Sequence, residues 1–166
     1  MRPLLATCFL STLAAIAQPA QLSAQAHGGW LTTPGTIRAE YYAEVIRNLN
    51  EVAADWQLAL STDNVDDLME LYAEKAVVVT ADGASLRTHE DIRSFFGEYV
   101  RAAGRVEAFM LDFDASGQMA MVHGNLGARM TSGPDAGREV RGPMVTVYLQ
   151  EGRTWRIRSQ MFGRGK

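Results

Sequence analysis

Cysteine is nearly absent from this 166-residue chain, which has a single one, Cys8, close to its start. Everything downstream must therefore fold without disulfides, and neither a thiolate metal site nor a cysteine nucleophile is available there. A basic excess is lacking as well. Sixteen Lys and Arg against 19 Asp and Glu give a net charge of −3 and a pI near 5.6. That balance argues against a nucleic-acid partner, which normally shows a basic face, and against docking on an anionic membrane surface. No apolar run reaches the roughly 20 residues of a bilayer-spanning helix. Histidine is scarce, at three residues, and no zinc spacing, phosphate-cradling glycine loop or Gly-x-Ser-x-Gly elbow occurs. No metal and no cofactor is therefore expected. What remains, 47% hydrophobic with 21% charged residues, has the composition of one ordinary globular domain.

The first 26 residues read as a targeting segment. Arg2 supplies a positive charge, residues 4–17 form a short apolar run, and Gln18-Pro19 breaks it. Ala24-Gln25-Ala26 then offers the small-x-small pattern that signal peptidase reads. Cleavage after Ala26 predicts a periplasmic or secreted protein with no membrane contact once processed. The loss of 26 residues leaves 140, enough to bury about two-thirds of the unfolded surface. Residues 27–35, rich in glycine and proline, read as a flexible lead-in to a single domain over residues 36–166.

From Thr36 the pattern becomes helical. Ile37, Tyr41, Val45, Leu49, Val52, Trp56 and Leu60 recur every three or four residues and mark the apolar stripe of a long helix. Asp63-Asn64 interrupts it and caps a short second helix carrying Val65, Leu68, Met69, Leu71 and Tyr72. The β-branched run Val77-Val78-Val79-Thr80 predicts a strand, stopped by a turn at Ala81-Asp82-Gly83 with glycine in the left-handed position. Thr88 caps a third helix whose apolar face is Ile92, Phe95, Phe96, Tyr99 and Val100. Four strands follow, over residues 106–113, 118–131, 138–150 and 154–162, separated by Gly- and Asp-containing turns. Three helices with an early strand and then an antiparallel meander make an α+β fold, with the helices on one face of a curved sheet.

These elements carry a resemblance. Residues 56–83, WQLALSTDNVDDLMELYAEKAVVVTADG, resemble the helix–turn–helix–strand opening of the NTF2-like superfamily, and more narrowly SnoaL-like and DUF4440-type domains. Ile92-Arg93-Ser94-Phe95-Phe96, the strand at residues 120–124, and Gly152 with Trp155-Arg156-Ile157 agree in order and spacing. The resemblance spans about residues 45–162. It implies a cone whose helices close over a concave sheet and leave a pocket, and a homodimer paired through the outer sheet face. The superfamily holds isomerases, dehydratases, hydrolases and members with no chemistry, so the fold alone does not give the function.

Ketosteroid isomerases of that superfamily use a tyrosine late in the first helix, a carboxylate base at the end of the first strand and a second acid on a late strand. Those places fall here on Trp56, Thr80 and Val145. An indole N–H, a threonine hydroxyl and a valine do not provide that acid–base set. The pocket candidates are Trp56, Tyr72, Thr80, Phe95, Tyr99, His123, Asn125, Val145 and Trp155. His123 is the one weak candidate for a catalytic base, since imidazole titrates near neutral pH. The alternating strand at residues 118–131 puts His123 and Asn125 with Met119 and Met121, either inside the cone or on its outer face. Asp66 and Asp67 read as helix-dipole partners, His89 as solvated, and Arg156 and Arg158 as solvated or dimer-facing. Three readings follow. One is a non-catalytic domain binding a small hydrophobic or amphipathic molecule in an apolar pocket. The others are a pocket enzyme, an isomerase, dehydratase or hydrolase with His123 as base, and a dimerisation or interaction module with a filled core.

Overall fold

In a computed structural model, which describes residues 35–165, three helices pack on a six-stranded sheet. The expected signal segment and nearly all of the lead-in lie outside those residues. The long helix α1 (Gly35–Ser61) buries Val45, Leu49, Trp56, Ala59 and Leu60 along the expected stripe. It ends where Asp63 adopts a left-handed φ of 55°, a conformation that Asp tolerates better than most residues. Asn64 then caps α2 (Val65–Glu70), its Oδ1 accepting from the Asp67 amide at 3.2 Å. Thr88 caps α3 (His89–Ala102) in the same way, its Oγ1 accepting from the Asp91 amide at 3.0 Å. These bonds satisfy amides that the first helical turn cannot pair internally.

The strands are β1 (Tyr72–Val79), β2 (Ser85–Leu86), β3 (Ala103–Ser116), β4 (Met119–Met130), β5 (Glu139–Glu151) and β6 (Thr154–Phe162). Their spatial order is β2-β1-β6-β5-β4-β3, antiparallel except where β1 runs parallel to β6. Three expectations need correction. Tyr72 opens β1 and does not belong to the second helix, because α2 has already stopped at Glu70. The turn after Val79 leads into a sixth, two-residue strand, which pairs Val78 with Leu86. The first strand of the meander begins at Ala103, immediately after α3, and not at Val106. Parallel pairing between the first and last strands lies beyond any local pattern, since it depends on how the whole meander wraps.

Irregular pairing bends the sheet. Register shifts fall at residues 103–105 and 110–112 of β3, at 147–148 of β5, and between Tyr72 and Val77 of β1. Extra residues of this kind bend a strand and increase its local twist. Two arginines of β6 reach backbone carbonyls on this side of the sheet, one at the end of α2 and one within the β1 irregularity. Arg156 donates to the Glu70 carbonyl and Arg158 to that of Lys75, so both arginines tie β6 to its neighbour instead of standing free in solvent. His89 is likewise engaged, its Nε2 donating to the Ala73 carbonyl at 2.9 Å. On the other edge, the Gln57 side chain accepts from the Ala108 amide at 3.0 Å and covers part of β3 with α1.

Between helices and sheet lies a continuous core that includes Trp56, Leu68, Tyr72, Ile92, Phe96, Val122, Tyr148, Trp155 and Ile157. One chain of hydrogen bonds crosses it. Trp56 Nε1 donates to the Tyr72 hydroxyl at 3.0 Å, and that hydroxyl donates to Gln160 Oε1 at 2.5 Å. Gln160 Nε2 donates in turn to Thr146 Oγ1 at 3.3 Å and approaches Met144 Sδ at 3.4 Å. Every member is buried, and burial pushes the Tyr72 hydroxyl well above its ordinary pKa.

Candidate functional site

A cavity of about 730 Å³ opens at one end of the fold, where β1 and β6 finish side by side. Ligand sites commonly occupy about 300–1,000 Å³. The middle of α3 contributes Phe95, Phe96 and Tyr99, and β4 contributes Leu126. Val140, Gly142 and Pro143 of β5 complete the lining, and Phe162 of β6 packs against the α3 rings. The rim is chain beyond strand ends: Thr80, Ala81 and Asp82 after β1, Pro134 and Asp135 before β5, and Gly163, Arg164 and Gly165 after β6.

Four rings make the apolar body of the site. Phe95 lies nearly parallel to Tyr99 (23°, centroids 6.3 Å apart) and tilted on Phe162 (33°, 6.2 Å). Phe96 meets Phe162 edge-on and also packs edge-on against Trp56. Phe96 therefore separates the cavity from the buried Trp56–Tyr72–Gln160 chain. Burial alone raises the Tyr99 pKa to about 12, which keeps that phenol neutral across the physiological range.

The polar groups sit at the rim. The turn after β1 closes with the Thr80 amide on the Ala84 carbonyl and the Gly83 amide on the Thr80 carbonyl, both at 2.9 Å, and Gly83 takes a φ of 94°. Within this turn the Thr80 hydroxyl donates to Asp82 Oδ1. That bond, aided by backbone amides and by nearby Arg164, holds the Asp82 carboxyl below its usual pKa and keeps it an acceptor. Asp135 is ion-paired with Arg138 at 3.4 Å. Close glycine packing positions the C-terminal tail. A Cβ on Gly142 or Gly165 would collide with facing backbone, and one on Gly163 with the Pro143 ring. The Gly163 amide also donates to the Pro143 carbonyl at 2.8 Å.

Of the nine residues expected to line a pocket, the cavity gathers Thr80, Phe95 and Tyr99. Trp56, Tyr72 and Trp155 are packed core, each less than 5% exposed. His123 and Asn125 are exposed on the sheet face turned away from the helices, where His123 pairs across to Asp112 and Val145. Val145, paired with both His123 and Met161, shares that outer face. Among the described residues no histidine lines the cavity, so the structure gives the His123 base no place in it. Residues not singled out from sequence complete the site, chiefly Asp82, Phe96, Leu126, Pro143, Phe162 and Arg164. Phe96 was legible as a core-facing helix position. Asp82 looked like turn chemistry alone, and Arg164 follows the last predicted strand without any pattern.

The outer sheet face is also distinctive. Phe109, Leu111, Met119, Met121 and Met161 are each 40% or more exposed. Cross-strand pairing places Met121 beside Val147, and Val145 between His123 and Met161.

Comparison with known proteins agrees with this geometry. A family model described as a SnoaL-like domain matches residues 52–157, more than half of the chain. No curated protein matches. Among solved structures, the chain is similar to a putative scytalone dehydratase from Novosphingobium aromaticivorans, with TM-score 0.65, 12% identity, 77% of this chain and 89% of that one covered. An NTF2-like protein of unknown function from Shewanella oneidensis gives TM-score 0.62 at 12% identity, covering 71% and 98% of the two chains. A protein of unknown function from Mycobacterium tuberculosis gives 0.65 at 15%, covering 78% and 76%. At these identities the likeness shows the shared fold. With the family match across its helices and sheet, the chain belongs to the SnoaL-like domain family of the NTF2-like superfamily.

Proposed function

We propose that this protein is an exported binding domain that holds a small hydrophobic or amphipathic molecule in the cavity beneath α3 without transforming it. The observation that carries this reading is the lining itself, four aromatic rings with Leu126, Val140 and Pro143 around about 730 Å³. Burial of apolar ligand surface against such walls supplies about 25 cal/mol per Å². The polar side chains in the lining are the Thr80 hydroxyl, the Asp82 carboxylate held ionised, the ion-paired Asp135 carboxylate, the Arg164 guanidinium and the neutral Tyr99 phenol. No histidine stands among them, and the Asp82 carboxylate is already engaged by the Thr80 hydroxyl, which supports binding over turnover. Export rests on the N-terminal sequence pattern.

The test is a native mass spectrum of the protein expressed with its own leader, beside a Leu126→Trp variant that fills the cavity. A processed chain with reproducible extra mass, lost in the variant, supports the reading. Turnover of a small organic substrate that Leu126→Trp abolishes would overturn the non-catalytic part. Retention of residues 1–26 would overturn export.

A second reading concerns assembly. The outer face exposes Met119, Met121 and Met161, with Val145 and Val147 paired between or beside them, which supports a homodimer paired through the sheet. Exposed apolar side chains gathered on one face often mark a protein–protein contact.

A further inference from the structure

The walls of the cavity are apolar, whereas its unspent polar chemistry is concentrated at the end where β1 and β6 finish. The parallel register sets Val79 opposite Met161, so the chain leaving each strand emerges at the same level. On one side Thr80 orients the Asp82 carboxylate. On the other, the glycines at 142, 163 and 165 let the tail lie against β5 and carry Arg164 to the rim. Asp82 and Arg164 lie near enough for their charges to interact, yet no ion pair joins them among the described residues. Asp135 is matched by Arg138. The rim therefore offers one oriented acceptor, Asp82, and one cationic donor, Arg164, whose charges cancel.

We infer that Asp82 and Arg164 form a polar clamp selecting a flat apolar molecule whose head is uncharged and both donates and accepts a hydrogen bond, as a hydroxyarene or an aryl carboxamide does. The ring system lies on the Phe95–Tyr99–Phe162 wall. The head gives its proton to the Asp82 carboxylate and takes one from the Arg164 guanidinium. A carboxylate head meets Asp82 with like charge, and an ammonium meets Arg164. An ether of the same size can accept but cannot donate. The inference rests on the binding function proposed above and specifies the ligand class for that same cavity.

Four matched probes test it by calorimetric titration at pH 7: 2-naphthol, 2-naphthamide, 2-methoxynaphthalene and 2-naphthoate. The expected result is that naphthol and naphthamide bind about tenfold more tightly than the ether and the carboxylate, since one hydrogen bond to a charged group supplies a factor of that order. Asp82→Ala then removes most of the preference for naphthol over the ether while leaving ether affinity within about twofold. Arg164→Met weakens naphthamide most. Both side chains lie at the exposed rim, and unchanged far-ultraviolet circular dichroism checks that each variant folds. Four equal affinities, indifferent to both substitutions, would overturn the clamp and leave the binding pocket standing. Naphthoate binding tightest, and losing that rank in Arg164→Met, would replace the clamp with an anion site. Failure of every probe to bind, the ether included, would overturn the pocket reading and the clamp together.

Discussion

Tyr72→Phe is the sharpest probe of how this core is specified. The substitution keeps the ring that packs on Phe96 at 5.7 Å and removes one oxygen. That oxygen accepts from Trp56 Nε1 at 3.0 Å and donates to Gln160 Oε1 at 2.5 Å. Trp56 and Gln160 are each 2% exposed, so water cannot readily replace the lost partner. Each orphaned group costs about 1–3 kcal/mol, partly offset because the hydroxyl itself no longer needs burying. The expected loss is about 2–4 kcal/mol. In urea, where small domains have slopes of about 1–3 kcal/mol per molar, that lowers the midpoint by roughly 1–2 M with the slope unchanged. Tyr42→Phe is the matched control, because its hydroxyl bonds to Asp114 at 2.8 Å on the exposed surface and to the part-buried Ala115 carbonyl only at 3.2 Å. Water substitutes there, and the expected cost is below about 1 kcal/mol. A double-mutant cycle with Gln160→Met sharpens the test. Once Gln160 Oε1 is gone, Tyr72→Phe orphans only the indole, so the two losses should fall short of additivity by about 1 kcal/mol or more. Equal costs for Tyr72→Phe and Tyr42→Phe, or strict additivity in the cycle, would refute the buried chain as a stabilising unit.

Other perturbations have equally definite outcomes. Gly97 lies inside α3 with open space where a Cβ would go, whereas a Cβ on Gly124 would run into the Phe109 carbonyl. Gly97→Ala should therefore stabilise by about 0.5–1 kcal/mol, and Gly124→Ala should destabilise by about 1–3 kcal/mol, both measurable by urea unfolding. If the outer face joins two copies, sedimentation velocity should find a dimer that Met121→Glu converts to a folded monomer; a wild-type monomer at tens of micromolar would exclude it. Burial raises Tyr99 and Tyr148 to about 12, and Tyr72 upward, above the ordinary value of 10.0. A raised folded-state pKa gives stability that is fully present below pH 10 and lost as pH rises through 12. Absorbance at about 295 nm should therefore show these phenols ionising late and together with alkaline unfolding, and early ionisation of all five tyrosines would contradict their burial.

Local chemistry made much of this architecture legible before any coordinates. The apolar stripe from Val45 to Leu60 needs only the 3.6-residue period to declare a helix with one buried face. Asn64 and Thr88 announce helix starts because their side chains satisfy amides within three residues. Gly83 marks its turn because it adopts a φ of 94° that other residues rarely take.

What tertiary structure decided is which faces and which chain ends meet. Strand β4 alternates apolar and polar residues on both faces, so its sequence leaves undetermined which one points inward. Packing against the helices put Ala120 and Val122 inside and left His123 and Asn125 outside. Trp56 and Tyr72 looked like pocket walls because aromatic residues suit both ligand sites and cores, and only their mutual hydrogen bond and near-complete burial separate the two roles. Asp82 and Arg164 are 82 positions apart in the chain. They share a rim because β1 pairs in parallel with β6, a contact fixed by the twist and bulges of the whole sheet rather than by any neighbouring residue.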